Sequence, residues 1–263
     1  MANIEKIINE VKKNIVRLTF EAGNKGAHVG SSLSLAEILT VLFVEYFNSE
    51  TDKFILSKGH GGLGYYAVLY AVGEITKEQL NTFEKNGGDF PGQPSRQPDN
   101  RILYSSGSLG MGLSYGVGYA WSMKHKKEKG KVFVVLGDGE LDEGNIWEAV
   151  MLAKQQALSN LIAVVDWNNM QSDGNTKHIL DLDLKSIWSA FGWRVIECDG
   201  HSVEELRNAY IRAEGLGPAV ILAKTVKGKG ISFMENNKIW HHNHLTEKQY
   251  KMALEELEKT YGI

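Results

Sequence analysis

Apolar positions along the chain follow two periods. Four short runs rich in β-branched residues, 132–136, 161–165, 194–198 and 219–223, read as buried strands. Each is too short for an independent helix and has polar or glycine-rich edges. Between them, segments 145–156, 186–191 and 203–214 carry apolar residues at helical spacing, most weakly in the second. Strands alternating with helices predict right-handed βαβ units and a parallel sheet covered on both faces. The N-terminal third reads as mostly helical. Ile4, Ile7, Ile8, Val11 and Ile15 fall on one helical face, and 34–47 predicts a second apolar helix opened by Ser34 as its cap. A final helix is expected over 247–258. The pattern therefore predicts an α/β fold, a three-layer α/β/α arrangement with a mostly parallel central sheet.

Two stretches follow neither period. Segment 86–101 holds Pro91, Pro94 and Pro98 with Gly87, Gly88 and Gly92, and is expected to be a long loop. Segment 225–244 carries Gly228, Gly230 and three histidines, and is expected to run over the surface. Loops of such length inside a domain more often serve function than decoration. No repeat, low-complexity tract or linker interrupts the chain, so residues 1–263 read as one domain.

Composition narrows the function classes. The 29 Lys plus Arg against 32 Asp plus Glu give a formal charge of -3, with no basic excess for a nucleic-acid backbone. The single cysteine, Cys198, permits no internal disulfide and no multi-thiolate metal site; within an apolar strand it reads as inert core. No apolar run approaches the ~18 residues that span a bilayer, and the N-terminus lacks a signal-peptide core. A soluble, cytoplasmic protein with no nucleic-acid or membrane partner is expected.

The densest chemistry follows the 132–136 strand, in Gly137-Asp138-Gly139-Glu140. An acid between two glycines after a strand permits a tight turn and close backbone approach to a ligand. The sixth position of a dinucleotide fingerprint is occupied by Asp142, and no GxxxxGK[ST] loop exists. The next predicted strand ends in Asp166-Trp167-Asn168-Asn169. If the two strands are parallel neighbours, Asp138 and Asn168 emerge together at the carboxyl edge of the sheet. A carboxylate and an amide oxygen there suit a hard cation such as Mg²⁺, which keeps most of its shell for phosphate and water. Asp138 as a helix cap and Asn168 as a turn residue fit the same letters.

The spacing from Gly137-Asp138-Gly139 to Asn168-Asn169 resembles the GDG…NN signature of thiamine diphosphate enzymes. Nearly the whole chain is similar to the N-terminal, diphosphate-binding half of a transketolase. The likeness runs collinearly through Gly26-Ala27-His28-Val29-Gly30, Ile55-Leu56-Ser57-Lys58-Gly59-His60, Gly107-Ser108-Leu109-Gly110, 137–148 and 225–241. It implies that Asp138, the side chain of Asn168 and the backbone carbonyl of Met170 hold Mg²⁺ (or Ca²⁺ or Mn²⁺) on the diphosphate. Gly137, Gly139 and Glu143 then belong to the cofactor site, and Gly107 and Leu109 present backbone groups to the aminopyrimidine. His60 and His241 stand near the diphosphate and the reacting carbon, with His28 facing the sugar; all three are the expected catalytic histidines. Glu143 and Glu148 match family acids that join active sites across a subunit interface.

A histidine taken singly is more often a surface or core residue than a catalyst. His60 and His28 gain weight from their glycine-rich turns, and His241 from the Trp240-His241 step. His242 and His244 stay open between contact and solvent, and His125 reads as a solvated helix end. A three-histidine zinc site lacks any HExxH-type spacing. Lys227 and Lys229 flank Gly228 in a loop able to close over phosphate, or form a solvated pair. Gly112-Leu113-Ser114-Tyr115-Gly116 satisfies the GxSxG pattern of hydrolases, with Asp166 and His241 downstream and a possible short strand at 101–104. Against it, five glycines between 107 and 118 suggest tight helix packing rather than a strained elbow.

Two departures from the family matter. Gln93 stands where the family has a sugar-binding histidine; it keeps hydrogen bonding but cannot carry a charge, which implies altered substrate specificity. The family's activating glutamate lies in a second, pyrimidine-binding domain that the chain up to Ile263 does not contain. The expectation is one subunit of a split transketolase, completed as an α2β2 heterotetramer by a separate chain with pyrimidine-binding and C-terminal domains. Its reaction would transfer a two-carbon ketol unit from a ketose, phosphorylated in this reading, to an aldose. The alternatives are a 1-deoxyxylulose-5-phosphate synthase half, the α-chain of a 2-oxo-acid dehydrogenase, or a catalytically silent subunit.

Overall fold

A computed structural model describes residues 4–262. Five parallel strands form one sheet: β1 (Lys53–Leu56), β2 (Val132–Gly137), β3 (Leu161–Trp167), β4 (Arg194–Asp199) and β5 (Ala219–Lys224). Their spatial order is β1-β2-β3-β5-β4. The α/β expectation holds, and the four strands read from the sequence lie where expected. The sequence reading takes β1 only as part of a motif. Its four residues, with Lys53 half-buried, give too short an apolar run to signal a strand.

Residues alternate strictly between the two faces of the sheet. Phe133, Val135, Ile162, Val164 and Ile221 face one core with helices Ile4–Glu21, Gly62–Ala71, Val203–Arg212 and Glu247–Tyr261. Val132, Val134, Leu161, Ala163, Val165 and Leu222 face the other core with helices Met111–Lys126, Gly144–Gln155 and Leu184–Ala190. Burial on both sides explains why the strands are continuous apolar runs.

Two local expectations fail, and the strand weighed at 101–104 for the hydrolase alternative is absent. Segment 34–47 is not one capped helix: helix Val29–Ser34 ends, Ala36–Val41 follows, and Leu42–Tyr46 widens into a π turn. Ser34 closes the first of these, and its hydroxyl donates to Asp166 Oδ2 at 2.6 Å instead of capping. Segment 225–244 is not superficial, since Lys227, Ile231, Met234 and Trp240 are buried. Its Gly228 N–H donates to Gly30 O at 3.0 Å, drawing the loop into the fold. No strand forms at 101–104, where one isolated bridge joins Gln97 and Ile102. Segment 86–101 is a loop as expected, with a single 3-10 turn, Pro98–Asn100.

Candidate active site

The carboxyl ends of neighbouring parallel strands place their following residues side by side, where open α/β sheets bind ligands. Lys58 follows β1, Asp138 follows β2, Asn168 follows β3 and Thr225 follows β5. Gly137 pairs in register with Asp166, and Asp138 N–H donates to Asp166 O at 3.3 Å. The turn after β2 is knitted by Glu140, whose carboxylate accepts from Ser57 Oγ, from Gly110 N–H at 2.8 Å and from Gly137 N–H at 3.1 Å. Burial pushes the Glu140 carboxyl up despite these donors.

Asp138 is 6% exposed. Its carboxylate accepts from Gly139 N–H at 3.0 Å and from Asn169 N–H at 2.5 Å. Asn169 presents that N–H from the left-handed region, φ 59°, which asparagine tolerates. Burial, then the neighbouring Asp166 charge, pushes Asp138 up to about 7. Among the described residues no cationic side chain pairs with it. Asn168, 5% exposed, accepts from Met170 N–H at 3.1 Å through Oδ1, leaving a second lone pair.

Both residues open onto a cavity of about 380 Å³. Its lining includes His28, His60, Gln93, Gly107, Leu109, Gly137, Asp138, Gly139, Glu143, Asn168, Met170 and His241, which the sequence reading singles out. It also includes Lys58, Glu140, Asp142, Gln171, Ser172, Asp173 and Lys227, which that reading does not place in the site. Glu148 does not line it; it is exposed on the Gly144–Gln155 helix. His28 lies 6.0 Å from His60 and 5.4 Å from His241, ring centre to ring centre. His242 is exposed but stacks edge-on against His28 at 4.5 Å, so it joins the cluster's rim, whereas exposed His244 stands apart.

Burial, then neighbouring His242, holds His28 down at about 3; burial, then Lys227, holds His241 at about 4. Burial also lowers His60 well below the usual imidazole range. The rings are neutral at physiological pH. Lys227 Nζ donates to His241 Nδ1 at 2.9 Å, which leaves Nε2–H as that ring's donor. Burial and the Lys58 charge lower Lys227 to about 8, still largely protonated at neutral pH.

Beneath the cavity, fully buried Asp166 accepts from Lys58, Ser34 and Thr225. Burial alone would raise this carboxyl, but the Lys58 charge and the hydrogen bonds hold it below its ordinary range.

Comparison with known proteins decides the family. Residues 7–262 match the family described as "Transketolase, thiamine diphosphate binding domain". The chain belongs to this family. It is 41% identical to the 6-deoxy-6-sulfo-D-fructose transketolase subunit SqwG of Clostridium sp. strain MSTE9, over 94% of each chain. It is 38% identical to an apulose-4-phosphate transketolase subunit from Actinobacillus succinogenes, over 97% of this chain and 95% of that one. Transketolase from Leishmania mexicana superposes with a TM-score of 0.90 at 29% identity, covering all of this chain. This chain spans only 42% of that solved transketolase. The reading as a transketolase subunit that binds thiamine diphosphate and works with a partner is thus borne out.

The transketolase-family cavity suits a metal-bound diphosphate on its own chemistry. A buried carboxylate lacking a cation, an amide oxygen and a backbone carbonyl form an all-oxygen donor set for a hard ion. Among the described residues no group of three His, Cys, Asp or Glu side chains could hold a metal. Gly139 packs tightly against the Gln171 side chain, where a Cβ would stand 2.4 Å from Oε1.

Sequence reasoning leaves Lys227 undecided and overlooks Lys58, Asp166 and Glu140 as parts of the site's frame. A lysine two residues before His60, directly at a strand end, is the available signal. The GxSxG segment lies within helix Met111–Lys126, where Gly112 abuts Ser57 and Gly116 abuts Val134. Its glycines serve close packing, and the serine stands on a helix rather than on a strand-to-helix elbow. Cys198 is buried, and burial pushes its thiol up to about 12, as inert core requires.

Proposed function

We propose that this chain, as a single thiamine diphosphate-binding domain over 1–263, forms the N-terminal half of a cytoplasmic split transketolase. A separate subunit with pyrimidine-binding and C-terminal domains completes it as an α2β2 heterotetramer. The reaction moves a two-carbon ketol unit from a phosphorylated ketose to an aldose. The observation that carries this reading is the convergence of Asp138 and Asn168 with three neutral histidines in one cavity.

Asp138, the Asn168 amide oxygen and the Met170 carbonyl would hold Mg²⁺, with Lys227 and His60 beside the diphosphate. Bound thiamine diphosphate supplies the carbon nucleophile that breaks and remakes the carbon–carbon bond. His28 and His241, being uncharged, can give or take a proton at the sugar hydroxyls, and Gln93 offers both donor and acceptor without charge. Relatives named for a sulfonated and a phosphorylated sugar support an anionic substrate.

Exposed Leu109, Met111, Tyr115, Met151 and Leu152, near Glu143 and Glu148, support a partner surface beside the cavity. Assaying ketol transfer with purified chain, purified partner, and both together tests the proposal. Activity requires both chains, with thiamine diphosphate and Mg²⁺. Turnover by this chain alone would refute the split arrangement.

A further inference from the structure

A buried relay runs from both ends of the chain to the cavity. Lys12, on the N-terminal helix, is 1% exposed and donates to Glu37 Oε1 at 2.5 Å. Tyr261, ending the last helix, reaches the same oxygen at 3.5 Å. The other carboxylate oxygen, Oε2, lies 3.2 Å from His201 Nδ1. On the far side of that ring, Val226 N–H donates to His201 Nε2 at 2.8 Å. A backbone N–H can only donate, so Nε2 carries no proton, and Nδ1–H donates to Glu37. Burial opposes ionisation of Glu37, but the Lys12 charge and the His201 hydrogen bond hold its carboxyl below the ordinary range.

Val226 immediately precedes Lys227. The segment is tied at Thr225 N–H to Trp167 O at 2.9 Å and at Gly228 N–H to Gly30 O at 3.0 Å. Lys227 O itself accepts from Asn236 N–H at 2.9 Å, and the Val226–His201 bond fixes the residue on its N-terminal side by a side chain. Held this way, Lys227 is 2% exposed, with Nζ 2.9 Å from His241 Nδ1 and 3.5 Å from Met170 O.

We infer that His201 is a positioning residue: its Nδ1–H tautomer, fixed by Glu37, holds the Val226 amide so that Lys227 reaches the diphosphate pocket. The inference rests on reading the cavity as the diphosphate site. His201 does not line that cavity and acts only through the backbone of the loop.

Asparagine and glutamine separate this role from general packing. His201→Gln places an acceptor oxygen where Nε2 stands, whereas His201→Asn keeps a polar group toward Glu37 but falls short of Val226. In the assembled enzyme, titrated with thiamine diphosphate and Mg²⁺ by calorimetry, H201N weakens binding about tenfold and H201Q stays within about threefold of wild type. Lys227→Met added to H201N weakens binding no further than Lys227→Met alone, because both act through one amine.

A second readout needs no cofactor. Acylation of Lys227 by acetic anhydride, followed by mass spectrometry, is slow in wild type and H201Q and several-fold faster in H201N. Equal behaviour of H201N and H201Q in both measurements, or additive losses with Lys227→Met, would overturn the inference. If no form bound the cofactor, the cavity reading would fall, while the labelling order would still decide the role of His201.

Discussion

Lys58 and Asp166 form an ion pair under the cavity with side chains 1% and 0% exposed. Removing one partner of such a pair leaves an uncompensated buried charge. Lys58→Met is expected to cost about 3–5 kcal/mol, measured by urea unfolding of the full chain. A loss below about 1 kcal/mol would show that the pair does not frame the site. The neutral histidines make a second residue-scale prediction. As pH falls through about 6.5 the unfolded chain protonates its imidazoles, while His28, His60 and His241 resist in the fold. Stability from these rings is therefore intact above pH 7 and is lost toward pH 4. Asp138, raised in the fold, works in the opposite sense between pH 4 and 7, so the comparison must be with a variant. Between pH 7 and 5, His28→Asn should lose roughly 1–2 kcal/mol less than wild type. Parallel stability curves would show that His28 is not held neutral. At this scale the sequence revealed which side chains meet in the cavity, but not their charge states, which depend on burial and on neighbours distant in the chain.

The elements show where pattern reading succeeds. β2, β3 and β5 are buried on both faces and announce themselves as unbroken apolar runs, whereas β1 is four residues long and falls below any periodic signal. The 34–47 segment misleads because all of Leu35, Ala36, Ile38, Leu39, Val41 and Leu42 are buried, so its apolar face gives no sign of the break. Glycine at the start of helix Met111–Lys126 has a defined purpose. Gly110 has φ 82°, and a Cβ there would stand 2.0 Å from Asn145 Oδ1. Gly110→Ala should destabilise the chain by about 1–3 kcal/mol in thermal or urea unfolding, combining backbone strain with a clash. It should also disturb the Glu140 carboxylate, which accepts from Gly110 N–H. A neutral effect would contradict the packing of this helix against the Gly144–Gln155 helix.

At the scale of the molecule, the parallel sheet turns sequence distance into proximity. Residues 28, 60, 138, 168 and 241 meet only because strands and loops deliver them to one edge. That convergence is legible once five motifs stand in the family's order, since each motif falls at a strand end or a glycine-rich turn. The support beneath it is not legible: Lys12, Glu37, His201 and Tyr261 sit in ordinary helical or loop sequence, and only packing joins them. The proposed function depends above all on Asp138 and Asn168 binding one metal on the diphosphate. Anomalous diffraction from crystals of the assembled enzyme, grown with thiamine diphosphate and Mn²⁺ as a visible substitute, tests this directly. The expected result is a peak about 2.0–2.3 Å from a carboxylate oxygen of Asp138 and from Asn168 Oδ1, absent in Asp138→Ala. Cofactor bound with no metal density between those two side chains would contradict it.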